Sequence, residues 1–250
     1  MRLALLSDIH GNLQALDACL AHARAQQVQR FAFLGDLVGY GANPAEVVER
    51  VTLLTEEGAI VLKGNHDDMA VRPPATVKTV GDSTATWTHQ QLSLEQRLWI
   101  DNLPFTQHLD TVLLVHASAD GPELWRYVYD QRAATASLNA ASEWPGVRYV
   151  FGGHVHAQTL YYRGATDGLM PFAPQPGVAV PVPTHRQWLA TVGSVGQPRD
   201  GNPQAMYAVL DTERALLTFH RVPYDHYSAA AAIRHAGLPE FFAHRLEEGR

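Results

Sequence analysis

One cysteine, Cys19, stands in 250 residues, so no disulfide can form within the chain. It falls on an apolar helical pattern and reads as a packed core thiol rather than a reactive one. A reducing compartment suits such a chain, and a cytoplasmic location is the expectation. No run of about 18 apolar residues occurs, so no membrane-spanning helix is expected. The apolar N-terminus, residues 1–6, meets Ser7 and Asp8 at once. It is too short for a signal-peptide core and reads as a first buried strand. Basic residues are not in excess: 19 Lys and Arg face 25 Asp and Glu, a formal net charge of −6. That counts against bulk attraction to an anionic membrane or a long nucleic acid, while leaving room for a local basic patch. No internal repeat and no dividing linker is visible, so residues 1–250 read as a single domain.

Hydrophobic residues make up 46% and charged residues 18%, as in a soluble globular protein with a sizeable core. The 13 histidines are the unusual component, because histidine is the commonest metal ligand and the usual acid or base near neutral pH.

The first third alternates strand and helix patterns: strands at 2–7, 30–34 and 59–62, helices at 12–25 and 44–54. Asn43 and Pro44 suit the cap and first position of the second helix. Short crossovers of this kind imply a largely parallel sheet covered by helices. Helices are expected at 82–91 and 94–102, with Ser93 as a cap between them, and a hairpin at 106–115 across Asp110 and Thr111. A weaker helix at 133–142 precedes a strand at 147–151 and a possible continuation at 160–163. Residues 169–183, rich in Pro and Gly, read as a long surface loop. Strands at 188–192, 205–210 and 216–221 and a helix at 227–235 follow. The charged tail, 239–250, reads as mobile. The whole is an α/β chain with two sheets packed between helices.

Five segments follow apolar, strand-like runs and carry metal-ligating side chains: Asp8-Ile9-His10, Gly35-Asp36, Gly64-Asn65-His66-Asp67, His116, and Gly153-His154-Val155-His156. In a parallel sheet, ligands bind outside the carboxyl ends of the strands, so these segments are expected to meet at one edge. The alternate spacing of Asp8 with His10, and of His154 with His156, can aim both side chains at one centre. Carboxylate, imidazole and amide oxygen without thiolate suit Mn, Fe, Zn or Co rather than a structural cysteine site. There are too many ligands for one ion; two, roughly 3.5–4 Å apart and sharing a carboxylate, would use them all. Each segment alone has a plainer reading. Asp8 could cap the following helix, Gly35-Asp36 and Asn65 could mark turns, and His116 could be a hydrogen-bonded strand end. Their joint occurrence in this order favours the metal reading.

This pattern resembles that of the calcineurin-like metallophosphoesterase superfamily, whose five blocks are Asp-x-His, Gly-Asp, Gly-Asn-His-Asp/Glu, His and Gly-His-x-His. The resemblance implies a four-layer α-β-β-α sandwich and two divalent or mixed-valence ions, Mn and Fe first among Mn, Fe, Zn, Ni and Co. It implies that Asp8, His10 and His156 hold one ion, that Asn65, His116 and His154 hold the other, and that Asp36 bridges them. His66 would sit beside the phosphate as the catalytic residue, stabilising the transition state or protonating the leaving oxygen. Residues 35–44 and 193–199 are similar to the compact bacterial branch, which includes small phosphodiesterases, phosphatases and some dinucleoside polyphosphate hydrolases. The implied reaction is hydrolysis of a small phosphate ester, whether diester, monoester or nucleotide, by a metal-held hydroxide.

Two departures stand out. Gly39-Tyr40-Gly41 occupies the place where protein serine/threonine phosphatases carry Asp-Arg-Gly, which argues against a dedicated protein phosphatase. Residues 164–185 have no counterpart in the general pattern and form either a lid or a surface excursion. Around the site, Asn65, His66 and Arg199 are candidates for contacting substrate, Arg199 through a bidentate phosphate contact or else as a surface arginine. Asn12 could cap its helix or face substrate, and Asp67 could orient His66 or support the metal ligands from behind. Tyr40 could stack on a base or pack. Trp125, Arg126 and Tyr127 could hold a nucleoside, although core packing explains Trp125 more simply. His89, His108, His185, His220 and His244 fall outside every motif and read as structural or surface residues. Two other functional classes fit less well: a non-catalytic scaffold that keeps the fold, and a nuclease, against which the acidic balance weighs.

Overall fold

The structure is a computed structural model that describes residues 1–164 and 168–250. In chain order its elements are β1 (Arg2–Leu6), α1 (Leu13–Ala25), β2 (Arg30–Phe33), α2 (Pro44–Glu56), β3 (Ile60–Val61) and α3 (Asn65–Val71). Then come α4 (Asp82–Gln91), α5 (Leu94–Asp101), β4 (Thr106–Leu109), β5 (Val112–Val115) and α6 (Gln131–Ala141). The remainder is β6 (Tyr149–Gly152), β7 (Gln158–Arg163), β8 (Leu169–Phe172), β9 (Ala179–Pro181), β10 (Trp188–Val192), β11 (Ala205–Asp211), β12 (Leu216–Val222), α7 (His226–His235) and α8 (Glu240–Glu248).

The strands form two six-stranded sheets, in the orders β3-β2-β1-β11-β12-β9 and β4-β5-β6-β10-β7-β8. Within the first sheet β1, β2 and β3 run parallel, and within the second β5, β6 and β10 do. Strand β1 shows how the layers arise. Its alternate residues Leu3 and Leu5 enter the core between the sheets, with Leu114, Phe151 and Val192 from the opposite sheet. Ala4 and Leu6 point the other way, onto Leu16, Cys19, Leu20, Val47 and Val51 of α1 and α2. A strand buried on both faces needs a continuous apolar run, which residues 3–6 supply. Each such Leu contributes about 1.5–3 kcal/mol on burial. On the outer face of the second sheet, Leu113, Val115, Val150 and Leu189 pack against Ala134, Leu138 and Ala141 of α6. Helix, sheet, sheet, helix is the result, as expected.

Helix α1 starts at Asn12, whose Oδ1 accepts from the Ala15 amide at 3.1 Å, so the capping role holds. Ser93 caps α5 in the same way, reciprocated by Gln96. Asn43 precedes α2 but makes no side-chain cap; its Nδ2 donates to Glu46 Oε1 at 3.3 Å instead, and Pro44 sets the first turn. Cys19 is fully buried.

Two expectations are corrected. Residues 169–183 are not a loop throughout: β8 and β9 add the outermost strand to each sheet. Backbone pairing to β7 and β12 overrides the local Pro and Gly content. The described residues of the 164–185 excursion thus run along the sheet edges, and residues 165–167 lie outside the described residues. The tail is a packed helix rather than a loose segment. Phe242, Ala243 and Leu246 form a buried face on α8, packed with Ala229, Ala230 and Ile233 of α7.

Candidate metal centre

The carboxyl ends of β1, β2, β3, β5, β6 and β10 all open on one edge of the sandwich. There Asp8, His10, Asp36, His116, His154 and His156 are buried, each 6% exposed or less. Their ligating atoms fall into two groups, Asp8 with His10 and His156, and Asp36 with His116 and His154; within each group they lie within 4.8 Å of one another.

Backbone conformation aims these side chains. Asp8, His10, Asp36, His154 and His156 all have φ between 49° and 66°. The left-handed region costs a residue with a Cβ roughly 1–2 kcal/mol, and such strain concentrates at functional sites. The surrounding backbone holds it. The Asp8, His10 and Gly11 amides donate to the Gly35, Asp36 and Leu37 carbonyls at 3.0, 3.0 and 2.9 Å, locking the first two loops together. Close approach explains the flanking glycines. A Cβ on Gly64 would lie 2.2 Å from Asp36 Oδ1, and one on Gly153 would lie 2.3 Å from Asp8 Oδ2.

Hydrogen bonds fix the tautomers. His10 Nδ1 donates to the Val38 carbonyl at 3.2 Å, His116 Nδ1 to Leu34 at 2.9 Å and His156 Nδ1 to Gln197 at 2.6 Å. In each ring it is therefore Nε2 that faces the centre, free to ligate when the ring is neutral. His10 Nε2 and His156 Nε2 face each other at 3.1 Å, and Asp8 Oδ1 lies 3.2 Å from the latter. His116 Nε2 meets Asp36 Oδ2 at 3.3 Å and Asn65 Oδ1 at 3.2 Å. Asp8 Oδ1 and His154 Nε2 are buried without any hydrogen-bond partner. Ligating atoms converge here, two of them without a partner, an arrangement that is costly unless a cation joins them.

The electrostatics agree. Burial would raise the Asp8 and Asp36 carboxyls, yet His156 at Asp8 and His116 at Asp36 hold both below the carboxylate range. Burial lowers His10 well below its ordinary value and His154 to about 4. His116 is the exception: burial would lower it, but Asp36 pulls it up to about 9. A positive charge is wanted beside Asp36. The donor set and its orphaned atoms fit two hard or intermediate divalent cations.

The remaining sequence candidates fall around this centre. The His66 amide donates to Asp36 Oδ1 at 2.8 Å, and its buried ring lies edge-on to His10, centroids 5.1 Å apart. Burial lowers its pKa, so the ring is neutral at pH 7. Asp67 does not orient His66. It accepts from the Leu37, Val38 and Gly64 amides at 2.8, 3.2 and 2.9 Å, tying the second block to the third. Asn12, besides capping, donates to the Gly196 carbonyl at 2.9 Å. Tyr40 packs between His10 and His66 on one side and Phe242 of α8 on the other. Trp125 is half-buried against His116 and Phe105. Tyr127 lies over His154, centroids 3.9 Å apart, and stacks on Tyr129, with 47% and 68% of the two side chains exposed. Arg199 Cζ lies 5.9 Å from the Tyr40 ring centroid. His22, His89, His108, His185, His220 and His244 stand in neither ligand group.

Two supporting residues escaped the sequence reading. Ser194 Oγ donates to the Asp8 carbonyl at 2.8 Å and accepts from the Gln197 amide at 2.8 Å, fastening the loop after β10 under the first group. The glycines flanking Ser194 and Val195 signal that loop; a Cβ on Gly196 would lie 1.8 Å from the Ile9 carbonyl oxygen. The other, Arg245, comes from α8 and has no local signal.

The model of the calcineurin-like phosphoesterase superfamily domain matches residues 1–215. The chain belongs to that superfamily. Its fold matches the crystal structure of a metallophosphoesterase from Sphaerobacter thermophilus at TM-score 0.87 and 34% identity, over 100% of this chain and 99% of that one. An uncharacterized protein of Methanocaldococcus jannaschii is 30% identical over 99% of this chain and 98% of its own length. A hypothetical protein from Pyrococcus horikoshii OT3 shares the fold at TM-score 0.78 and 19% identity, over 100% of this chain and 98% of that one. Membership supports a hydrolase of phosphate esters, and the two ligand groups support divalent metals. No helix among the described residues is long and apolar enough to cross a membrane.

Proposed function

We propose that this protein is a dinuclear-metal phosphoesterase acting on a small phosphate ester, with a nucleotide among its candidate substrates. The observation that carries the reading is the convergence of ligating atoms from Asp8, His10 and His156, and from Asp36, His116 and His154, with two of those atoms orphaned. Asp8, His10 and His156 would hold one ion, and Asn65, His116 and His154 the other, with Asp36 between them. Two such cations supply charge neutralisation for the phosphate and acidify a water for in-line attack. The chain's own residues do the rest. The carbonyls of Val38, Leu34 and Gln197 keep the imidazoles in the ligating tautomer. His66, beside His10 and Asp36, would be the group that donates to the leaving oxygen or an equatorial oxygen as charge develops. Arg199 gives a further donor at the rim.

A single folded unit spanning 1–250, in a reducing, cytoplasmic setting that suits buried Cys19, belongs to the same reading. Diester, monoester and nucleotide substrates share this chemistry. The exposed ladder of Tyr127 and Tyr129 beside His154 favours a substrate with a flat aromatic group, because a nucleobase can stack on it. The test is hydrolysis of p-nitrophenyl phosphate and its bis-ester by metal-stripped protein with Mn²⁺ added back. Mn²⁺-dependent turnover is expected, and the better ester separates phosphatase from phosphodiesterase. Absence of divalent-ion binding by calorimetry would overturn the reading.

A further inference from the structure

Several arginines in this protein are matched with carboxylates. Arg234 meets Glu240 and Glu247, Arg72 meets Asp68 and Asp101, and Arg50, Arg126 and Arg221 meet Asp17, Asp120 and Asp200. With a net charge of −6, acidic partners are not scarce. Arg199 and Arg245 are not, and what sets them apart is that they converge. Among the described residues neither has a carboxylate within salt-bridge distance, although they approach each other closely enough to share one acceptor. Arg199 Nε and Nη2 donate to Gln197 Oε1 at 3.2 and 2.8 Å, and Arg245 Nη1 donates to the same oxygen at 3.0 Å.

Gln197 is 1% exposed and neutral, and a single amide oxygen satisfies few of the N–H donors that two guanidiniums carry. The nearby carboxylates are turned elsewhere: Asp200, next to Arg199, goes to Arg221, and Glu240 and Glu247 of α8 go to Arg234. Two like charges held together in a partly desolvated place repel unless an anion joins them. Burial and the neighbouring Arg199 together lower the pKa of Arg245. The pair is also built in. Arg245 stands three residues after Phe242, which stacks on Tyr40 with centroids 4.9 Å apart, and Tyr40 packs on His10 and His66. The Gln197 carbonyl accepts from His156 Nδ1, so the residue that gathers the arginines also orients a ligand imidazole.

We propose that Arg199 and Arg245 form a second phosphate subsite at the rim of the metal centre, taking a non-scissile phosphate of the substrate. The substrate class is therefore a phosphate compound with at least two phosphate groups, such as a nucleoside polyphosphate. This rests on the phosphoesterase reading for the word substrate, but the subsite itself does not require the metals. In the metal-free protein the Asp8 and Asp36 carboxylates repel anions, which leaves the arginine pair as the anion site.

The experiment is calorimetric titration of inorganic pyrophosphate into metal-stripped protein, wild type beside Arg199→Gln, Arg245→Gln and Arg245→Lys. Wild type should bind, and each Gln variant should weaken binding about tenfold, the scale of one lost charge-assisted contact. Arg245→Lys should recover part of the loss. Thermal melts check the fold, and exposed Arg199 carries the test if Arg245→Gln does not fold. Wild type that does not bind, or Gln variants that bind as well as wild type, would overturn the subsite. Mn²⁺-dependent turnover of p-nitrophenyl phosphate, measured separately, reports on the phosphoesterase reading alone.

Discussion

Two clusters of histidine flank α1, and they teach different things. At the strand ends, His10, His116, His154 and His156 join two aspartates. On the other side of the helix, His22 of α1 donates or accepts at Tyr207 Oη over 2.7 Å, and His220 stacks on Tyr207 with centroids 4.9 Å apart. Tyr207 is fully buried and His220 is 9% exposed, so a buried position alone does not mark a ligand. What distinguishes them is where the lone pairs go. The second cluster uses its hydroxyl as a hydrogen-bond partner and lies in ordinary backbone. In the first, the Nδ1 atoms of His10, His116 and His156 are committed to carbonyls, the Nε2 atoms face one another or carboxylates, and the backbone of His10, His154 and His156 is held left-handed. A buried histidine becomes a ligand candidate when its neighbours leave it an acceptor with nothing to accept.

Substitution gives the sharpest contrast. Asp36→Ala or His156→Ala should lower Mn²⁺-dependent turnover of p-nitrophenyl esters by about a thousandfold, since several kcal/mol of charge stabilisation are at stake. His220→Phe should keep turnover within about twofold, as for a residue with no part in the centre. Equal losses in the two kinds of variant would erase the distinction between the clusters.

Divalent ions should separate them by stability. An ion that binds only the folded state adds about 2.7 kcal/mol at one hundred times its dissociation constant. Thermal melts of metal-stripped protein should therefore rise on adding Mn²⁺. The rise should persist in His220→Phe and shrink in His156→Ala. Melts insensitive to Mn²⁺ in wild type would count against the centre.

The glycines around the first cluster give a smaller, structural effect. Gly64→Ala places a methyl against Asp36 Oδ1 and the Asp36 amide, both within 2.3 Å of the new Cβ. Overpacking of this sort costs about 1–3 kcal/mol. Weaker Mn²⁺ binding should accompany it, because Asp36 must shift. Gly58, whose Cβ would meet nothing within 4 Å, is the control position for crowding, although its positive φ still strains a replacement. If Gly64→Ala unfolds in urea like wild type and binds Mn²⁺ equally well, the close approach has no energetic meaning.

Much of this contrast was legible in the sequence, for physical reasons. The ligand blocks each sit where an apolar strand ends, and a strand end is both where the chain turns and where a parallel sheet exposes its edge. Asp8, His10, Asp36, Asn65, His116, His154 and His156 therefore announce their positions locally. His220 was separable because it lies within an alternating strand rather than after one. Arg245 was not legible: its importance comes from meeting Gln197 across 48 positions, and nothing local in α8 encodes that. Helix α8 itself was missed because its buried face, Phe242, Ala243 and Leu246, is short and set among charged residues. Strands β8 and β9 were hidden by Pro and Gly content, which edge strands tolerate. Asn65 read as a turn or ligand, yet it also opens α3, where Asp67 accepts from the Gly64 amide.

Acid should sharpen the comparison last and least. Burial, with His22 and Arg2 nearby, lowers His220 from 6.5 to about 4. His22, Tyr207 and Arg2 are the groups that face it, and none is a carboxylate that would favour its protonation. Its folded pKa lies below its unfolded one, so between about pH 4 and 6.5 the unfolded state binds more protons than the folded state. Stability from this residue is therefore intact above 6.5, falls as pH drops through that window, and levels off below it. Other ionisable groups also change environment on unfolding, so the readout is a difference. Metal-stripped wild type and His220→Phe should be unfolded in urea at pH 7.5 and 5, and wild type should lose more stability over that interval. Parallel losses would mean that the proton on His220 is accommodated in the fold, and that the second cluster is as tolerant of charge as the first is demanding of it.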